Sequence, residues 1–134
     1  MNTVLIIEDN ANMRESICKI LEAKGYGVFV AISGKIGLAL AKEKKPDIIL
    51  CDVLVPEMDG YNIFDSLKDD PDSINIPFIF ITESTDKNEV EKCLAVGADG
   101  CIAKPFDGKN LYEMIKRSLK KKEKSGDQNV EWRI

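Results

Sequence analysis

The most restrictive feature of this chain is a set of short apolar runs that each stop at a polar site. Val4-Leu5-Ile6-Ile7 stops at Glu8-Asp9, Ile48-Ile49-Leu50-Cys51 at Asp52, Phe78-Ile79-Phe80-Ile81 at Thr82, and Gly100-Cys101-Ile102-Ala103 at Lys104-Pro105. A further run, Tyr26 to Ala31, is β-branched and flanked by glycines, so it also reads as a strand. Apolar runs that are continuous rather than alternating predict a parallel sheet covered on both faces. Between them lie segments with helical spacing: Met13, Ile17, Ile20 and Leu21; Ile36, Ala39 and Leu40; Ile63, Phe64 and Leu67; Val90, Cys93 and Leu94; Leu111, Met114, Ile115 and Leu119. The order is βα five times, which predicts one doubly wound α/β domain. Parallel neighbours bring the polar stops together at the carboxyl edge of the sheet, the place where open α/β folds bind ligands.

The setting is narrow. A chain of 134 residues fits one domain with a real core and has no room for a second catalytic domain. A net charge of -4 argues against a general nucleic-acid binder, and no stretch approaches the roughly 18 apolar residues of a membrane span. Met1-Asn2-Thr3 leads straight into an apolar run, without the basic start of a secretory signal. A cytoplasmic location, with no membrane or direct nucleic-acid contact, is expected. Cys18, Cys51, Cys93 and Cys101 form no Cys-x-x-Cys pair and the chain lacks histidine, so the cysteines read as reduced, small apolar residues. Without imidazole, phosphoryl chemistry here has to rest on carboxylate, hydroxyl or lysine.

Local signals agree with this order. Ser33 and Asp86 suit helix starts, Gly25 and Gly97 helix ends, and Pro46 and Pro77 stand just before strands. Lys116, Arg117, Lys120, Lys121, Lys122 and Lys124 read as a solvated helix end whose cations complement the helix dipole. The domain is expected over 1–122. Residues 123–134 read as a flexible tail or the start of a linker, although Val130, Trp132 and Ile134 alternate as a short docking strand would.

The polar stops suggest their own chemistry. In an ideal strand Glu8 and Asp9 point to opposite faces, so both reach one ion only if the strand breaks there; Asn10 and the helical pattern after it make that break plausible. Asp52 ends a buried run, where an unpaired carboxylate is costly. Like charges a few Å apart repel by several kcal/mol at an effective dielectric of about 20, and a divalent cation relieves that. Oxygen ligands alone favour magnesium, which accepts one or two carboxylates plus phosphate oxygens. Asp52 is then the nucleophile toward phosphorus, and Lys104 the fixed positive charge for phosphoryl oxygens. Pro105 sets the backbone so that the lysine faces inward, and Thr82 can donate a hydrogen bond to a phosphoryl oxygen.

Taken jointly and in this order, these residues resemble the receiver domain of bacterial response regulators over about residues 3–122. Asp52-Val53-Leu54-Val55-Pro56-Glu57-Met58-Asp59-Gly60 is similar to that family's phosphorylation-site signature, and Ala103-Lys104-Pro105-Phe106 to its lysine-proline turn. The resemblance implies a flavodoxin-like fold with a five-stranded parallel sheet in the order 2-1-3-4-5. It implies that Glu8, Asp9, Asp52 and the backbone carbonyl of Leu54 hold Mg2+. Thr82, the Glu83 backbone and Lys104 would bind the phosphoryl group. It also implies that Asp52 takes that group from the phosphohistidine of a partner sensor histidine kinase or phosphotransfer protein. Thr82 would then shift and change the surface of the fourth helix, fifth strand and fifth helix for a downstream protein. Such a domain is a phosphoacceptor that assists its own phosphoryl transfer and hydrolysis rather than an enzyme.

Three positions depart from that family's pattern. Glu83 stands where a small residue usually leaves a path to the pocket, so a bulky anion is expected to slow phosphoryl access. Cys101 stands where an aromatic switch is usual, so coupling to the output face is expected to weaken or to run another way. Leu54, two residues after Asp52, is poorly suited to orient an attacking water and implies a long-lived phosphoryl group. Glu83 and Cys101 also favour the alternative reading, a pseudo-receiver that serves as a scaffold or interaction module without being phosphorylated. A flavin or nucleotide enzyme on the same architecture fits poorly, because Asp9-Asn10-Ala11-Asn12 lacks glycine and puts negative charge where phosphate would sit.

Overall fold

The computed structural model describes residues 1–83 and 87–131, the side chains from residue 123 onward excepted. Strands β1 Thr3–Ile7, β2 Gly27–Ala31, β3 Ile48–Asp52, β4 Phe78–Thr82 and β5 Gly100–Ala103 alternate with helices α1 Ala11–Ala23, α2 Gly34–Lys44, α3 Gly60–Lys68, α4 Lys87–Ala95 and α5 Gly108–Glu131. The strands pair in parallel in the order β2-β1-β3-β4-β5, as expected.

The continuous apolar runs follow from burial on both faces. Successive strand side chains point to opposite sides. Leu5, Ile7, Ile49, Cys51, Phe78 and Phe80 pack with α2, α3 and α4 residues such as Ala41, Phe64 and Cys93. Val4, Ile6, Ile48, Leu50, Ile79 and Ile81 pack with Ile17 and Leu21 of α1 and with Leu111, Ile115 and Leu119 of α5. Every residue of β3 and β4 is buried.

Helix starts are fixed by side-chain oxygens that accept otherwise orphaned N–H groups. Asn10 accepts from Met13, Ser33 from Ile36 and Asp59 from Asn62. Asp86, the other expected cap, lies outside the described residues. Gly25 and Gly97 follow α1 and α4 with φ of +89° and +103°, left-handed values that glycine adopts at little cost. The α5 backbone continues to Glu131 with no basic residue in its last turn. Lys116 to Lys122 therefore lie along the helix instead of at its end, and the dipole argument made for them does not apply. The expected tail side chains, including Val130, and residues 132–134 fall outside the described ones. Among the described residues no helix is long and apolar enough to cross a membrane.

One loop is built to keep α3 against the site. A Cβ on Gly60 would lie 2.7 Å from the Asp52 carbonyl oxygen and 3.1 Å from Val53 Cα, so a larger residue would push the helix start away from the end of β3. The Gly60 N–H instead donates to the Val53 carbonyl at 2.8 Å.

Candidate functional site

β1 ends at Ile7, so Glu8 and Asp9 leave the pleat and escape its alternation. The Glu8 N–H still donates to the Ala31 carbonyl at 3.0 Å, which turns its side chain into the protein; Glu8 is fully buried, whereas Asp9 is exposed. The Arg14 guanidinium, one turn into α1, donates to the Glu8 carbonyl at 3.0 Å and to the Asp9 carbonyl at 3.4 Å. It thus ties the acidic loop to the helix that follows. Asp52 is the last residue of β3 and only 6 % exposed. Carboxylate oxygens of Glu8, Asp9 and Asp52 all lie within 4.8 Å of one another.

One ammonium faces this trio. Lys104 Nζ donates to Glu8 Oε1 at 2.6 Å and to Asp52 Oδ2 at 2.8 Å. The Lys104 N–H donates to the Thr82 carbonyl at 2.7 Å, which fixes the lysine backbone at the end of β4, and the Lys104–Pro105 peptide is cis. Burial, the largest single influence on Lys104, works to lower its pKa, yet its bonds to Asp52 and Glu8 leave it raised. Burial pushes Glu8 up to about 7, against its bond to Lys104 and with the neighbouring Asp52 adding to the rise.

The opposite edge of the sheet shows the contrast. There Asp47 accepts from the Thr3 N–H at 2.7 Å and Asp99 from the Phe78 N–H at 2.8 Å, so each acid serves strand backbone. At the carboxyl edge Glu8 and Asp52 share the Lys104 ammonium, with the Asp9 carboxylate beside them. The oxygen-only donor set and spacing of Glu8, Asp9 and Asp52 fit a hard divalent cation such as magnesium.

The cluster opens into a cavity of about 640 Å³ lined by Glu8, Asp9, Asn10, Asp52, Val53, Leu54, Asp59, Tyr61, Thr82, Glu83, Glu89, Lys92 and Lys104. Thr82 ends β4 and is 3 % exposed. Leu54 is 77 % exposed and presents no polar side-chain atom to the cavity. Glu83 is exposed and lines both this cavity and a neighbouring one of about 310 Å³ bounded by Asn10, Asn12, Met13, Ser16 and Lys104. Cys101 stands apart from these groups. It is paired in register with Phe80, and burial first, then the adjacent Cys93, pushes its thiol up to about 12. All four cysteines are free thiols.

Sequence reasoning missed the residues that support the site from helices. Asp59, in the sequence only a part of the signature, caps α3. Arg14, Tyr61, Glu89 and Lys92 carry no strand-end signal, and only Arg14, close in sequence to the acids, could have been found by asking what holds that loop.

Comparisons with known proteins bear on the family and the fold. Residues 4–116 match the family model described as response regulator receiver domain. The chain is 35% identical over 117 residues to the polar-differentiation response regulator DivK of Brucella ovis, covering 87% of this chain and 95% of that protein. It is 34% identical over 119 residues to the phosphate regulon transcriptional regulatory protein PhoB of Pseudomonas aeruginosa, covering 89% of this chain and 52% of that protein. Against several such curated relatives, PhoB included, it spans only about half their length. Among solved structures, the receiver domain of sensor histidine kinase PA1611 from Pseudomonas aeruginosa PAO1 carries a coordinated magnesium ion in its active site cleft. It aligns with TM-score 0.81 and 27% identity over 88% of this chain and 97% of that one.

Proposed function

The chain belongs to the response regulator receiver domain family, and from that membership we propose that it is a phosphorylation switch whose acceptor is Asp52. Receiver domains are signalling modules of two-component systems that work with histidine kinases. For this chain the donor is the phosphohistidine of a sensor kinase or phosphotransfer protein. The observation that carries the reading is the meeting of Lys104 Nζ with Asp52 Oδ2 at 2.8 Å beside Glu8 and Asp9 in one open cavity.

Glu8, Asp9, Asp52 and the Leu54 carbonyl would hold magnesium, as the fit of the donor set and the PA1611 domain support. When bound, the ion supplies positive charge that lets an anionic carboxylate approach an anionic phosphoryl group. An Asp52 carboxylate oxygen forms the new bond to phosphorus while the donor histidine nitrogen leaves with its electron pair. Lys104 moves its ammonium from carboxylate to phosphoryl oxygen, and Thr82 Oγ1 and the Glu83 N–H supply hydrogen bonds. Glu83 narrows the approach, and Leu54 offers nothing to orient a hydrolytic water, so the phosphoryl group is long-lived. The body of this switch is residues 1–122.

A pseudo-receiver would keep the fold and lose the chemistry, and the convergence of Glu8, Asp9, Asp52, Thr82 and Lys104 gives that reading no support. Beryllofluoride, a phosphoryl mimic, separates the two. Fluorine NMR should show magnesium-dependent binding that Asp52→Ala abolishes; no binding, or binding that survives Asp52→Ala, would overturn the proposal.

A further inference from the structure

Tyr61 joins the cavity around Asp52 to helix α4. It stands in the first turn of α3 and lines the same cavity as Asp52 and Thr82. Its ring packs on Phe80 of β4, with centroids 5.0 Å apart. Its hydroxyl donates to Glu89 Oε1 at 3.0 Å and lies 3.3 Å from Cys93 Sγ, both on α4. Lys92, also on α4, places Nζ 4.6 Å from the Tyr61 ring centroid, within cation–π range.

Glu89 and Lys92 are three apart on α4 and so share a helix face, and both line the phosphoryl cavity. A phosphoryl group on Asp52 brings about one and a half to two negative charges into that space. It repels Glu89 and attracts Lys92, so the two ends of one helical turn are driven in opposite senses. The helix offers little resistance, since Cys93 is its one buried residue, against four for α3.

We infer that Tyr61 couples the phosphoryl cavity to α4: its hydroxyl holds Glu89 and the helix in the resting position, and negative charge on Asp52 releases that hold while Lys92 turns inward. The coupling does not use position 101, where Cys101 has no ring to move. It rests on the receiver reading and specifies how that same site is read out.

The test uses beryllofluoride with magnesium as the probe, on the full chain, with hydrogen exchange of the α4 amides and probe affinity as readouts. In the wild type, the probe should change α4 protection and leave β1 and β3 unaltered. Tyr61→Phe keeps the ring on Phe80 and removes the restraint. It should bind the probe tighter by roughly 2- to 10-fold, the worth of one hydrogen bond, because coupling is reciprocal, and its probe-induced change in α4 should fall by at least half. Glu89→Gln keeps an acceptor for Tyr61 but lacks the charge, and should also blunt the α4 change. A purely structural Tyr61 would raise exchange equally with and without the probe and would not tighten binding. A full wild-type α4 response in either variant overturns the coupling alone; failure of the wild type to bind the probe overturns the receiver reading and the coupling with it.

Discussion

The two halves of the carboxyl edge are built differently. Glu8 and Asp52 are seated at the ends of β1 and β3, whose central residues are wholly buried, and each fully buried Ile or Leu contributes roughly 2 kcal/mol. On the other side β5 is four residues long and alternates between buried and half-buried, and α4 buries Cys93 alone. Glu8 and Asp52 stand where the core fixes their spacing, whereas Glu89 and Lys92 stand on the thinly packed α4. Regions that move in switching are drawn from the less stable end of a fold, and here that end adjoins the site.

That contrast can be broken by measurement. The largest effect is expected in the deeply packed half: Ile49→Ala should cost about 4 kcal/mol in urea unfolding, while Cys93→Ala in the thinly packed half should cost about 1 kcal/mol. Equal losses would mean that the two halves are packed alike. Next comes Lys104→Met, which leaves two buried carboxylates without their ammonium. It should lower stability by about 3 kcal/mol in magnesium-free buffer and by less when magnesium is added; a loss that magnesium does not reduce would contradict a shared cation site.

Two smaller effects sharpen the account at the cavity mouth. Leu54→Asn supplies a side chain able to orient water and should shorten the phosphoryl lifetime on the order of tenfold, the scale of one hydrogen bond. A lifetime that stays the same or lengthens counts against Leu54 as the protective residue. Glu83→Ala removes one exposed charge and should speed labelling by acetyl phosphate about threefold; an unchanged rate would show that Glu83 neither blocks nor repels the donor.

Much of the fold was legible because its strands are covered on both faces, so Val4 to Ile7 and Ile48 to Cys51 read as unbroken apolar runs with abrupt polar ends. The same abruptness marked Asp52, Thr82 and Lys104. Glu8 and Asp9 were harder, since alternation sends neighbours to opposite faces; the end of β1 at Ile7 and the Asn10 cap resolve this. The strand order came from family resemblance, because apolar runs do not encode which strand lies beside which. Tyr61 was not legible at all. Its partner Glu89 is 28 residues away, and a tyrosine in a first helical turn gives no periodic signal of what it meets across the fold.

On the proposed reading Asp52 becomes the phosphoryl acceptor because Glu8, Asp9 and Lys104 gather around it. Intact mass and peptide mapping after incubation with magnesium and acetyl phosphate test this most directly. We expect one phosphoryl group, mapped to Asp52, which does not form when magnesium is chelated beforehand and is absent in Asp52→Ala. A chain that stays unmodified, or one labelled at another residue, would contradict it.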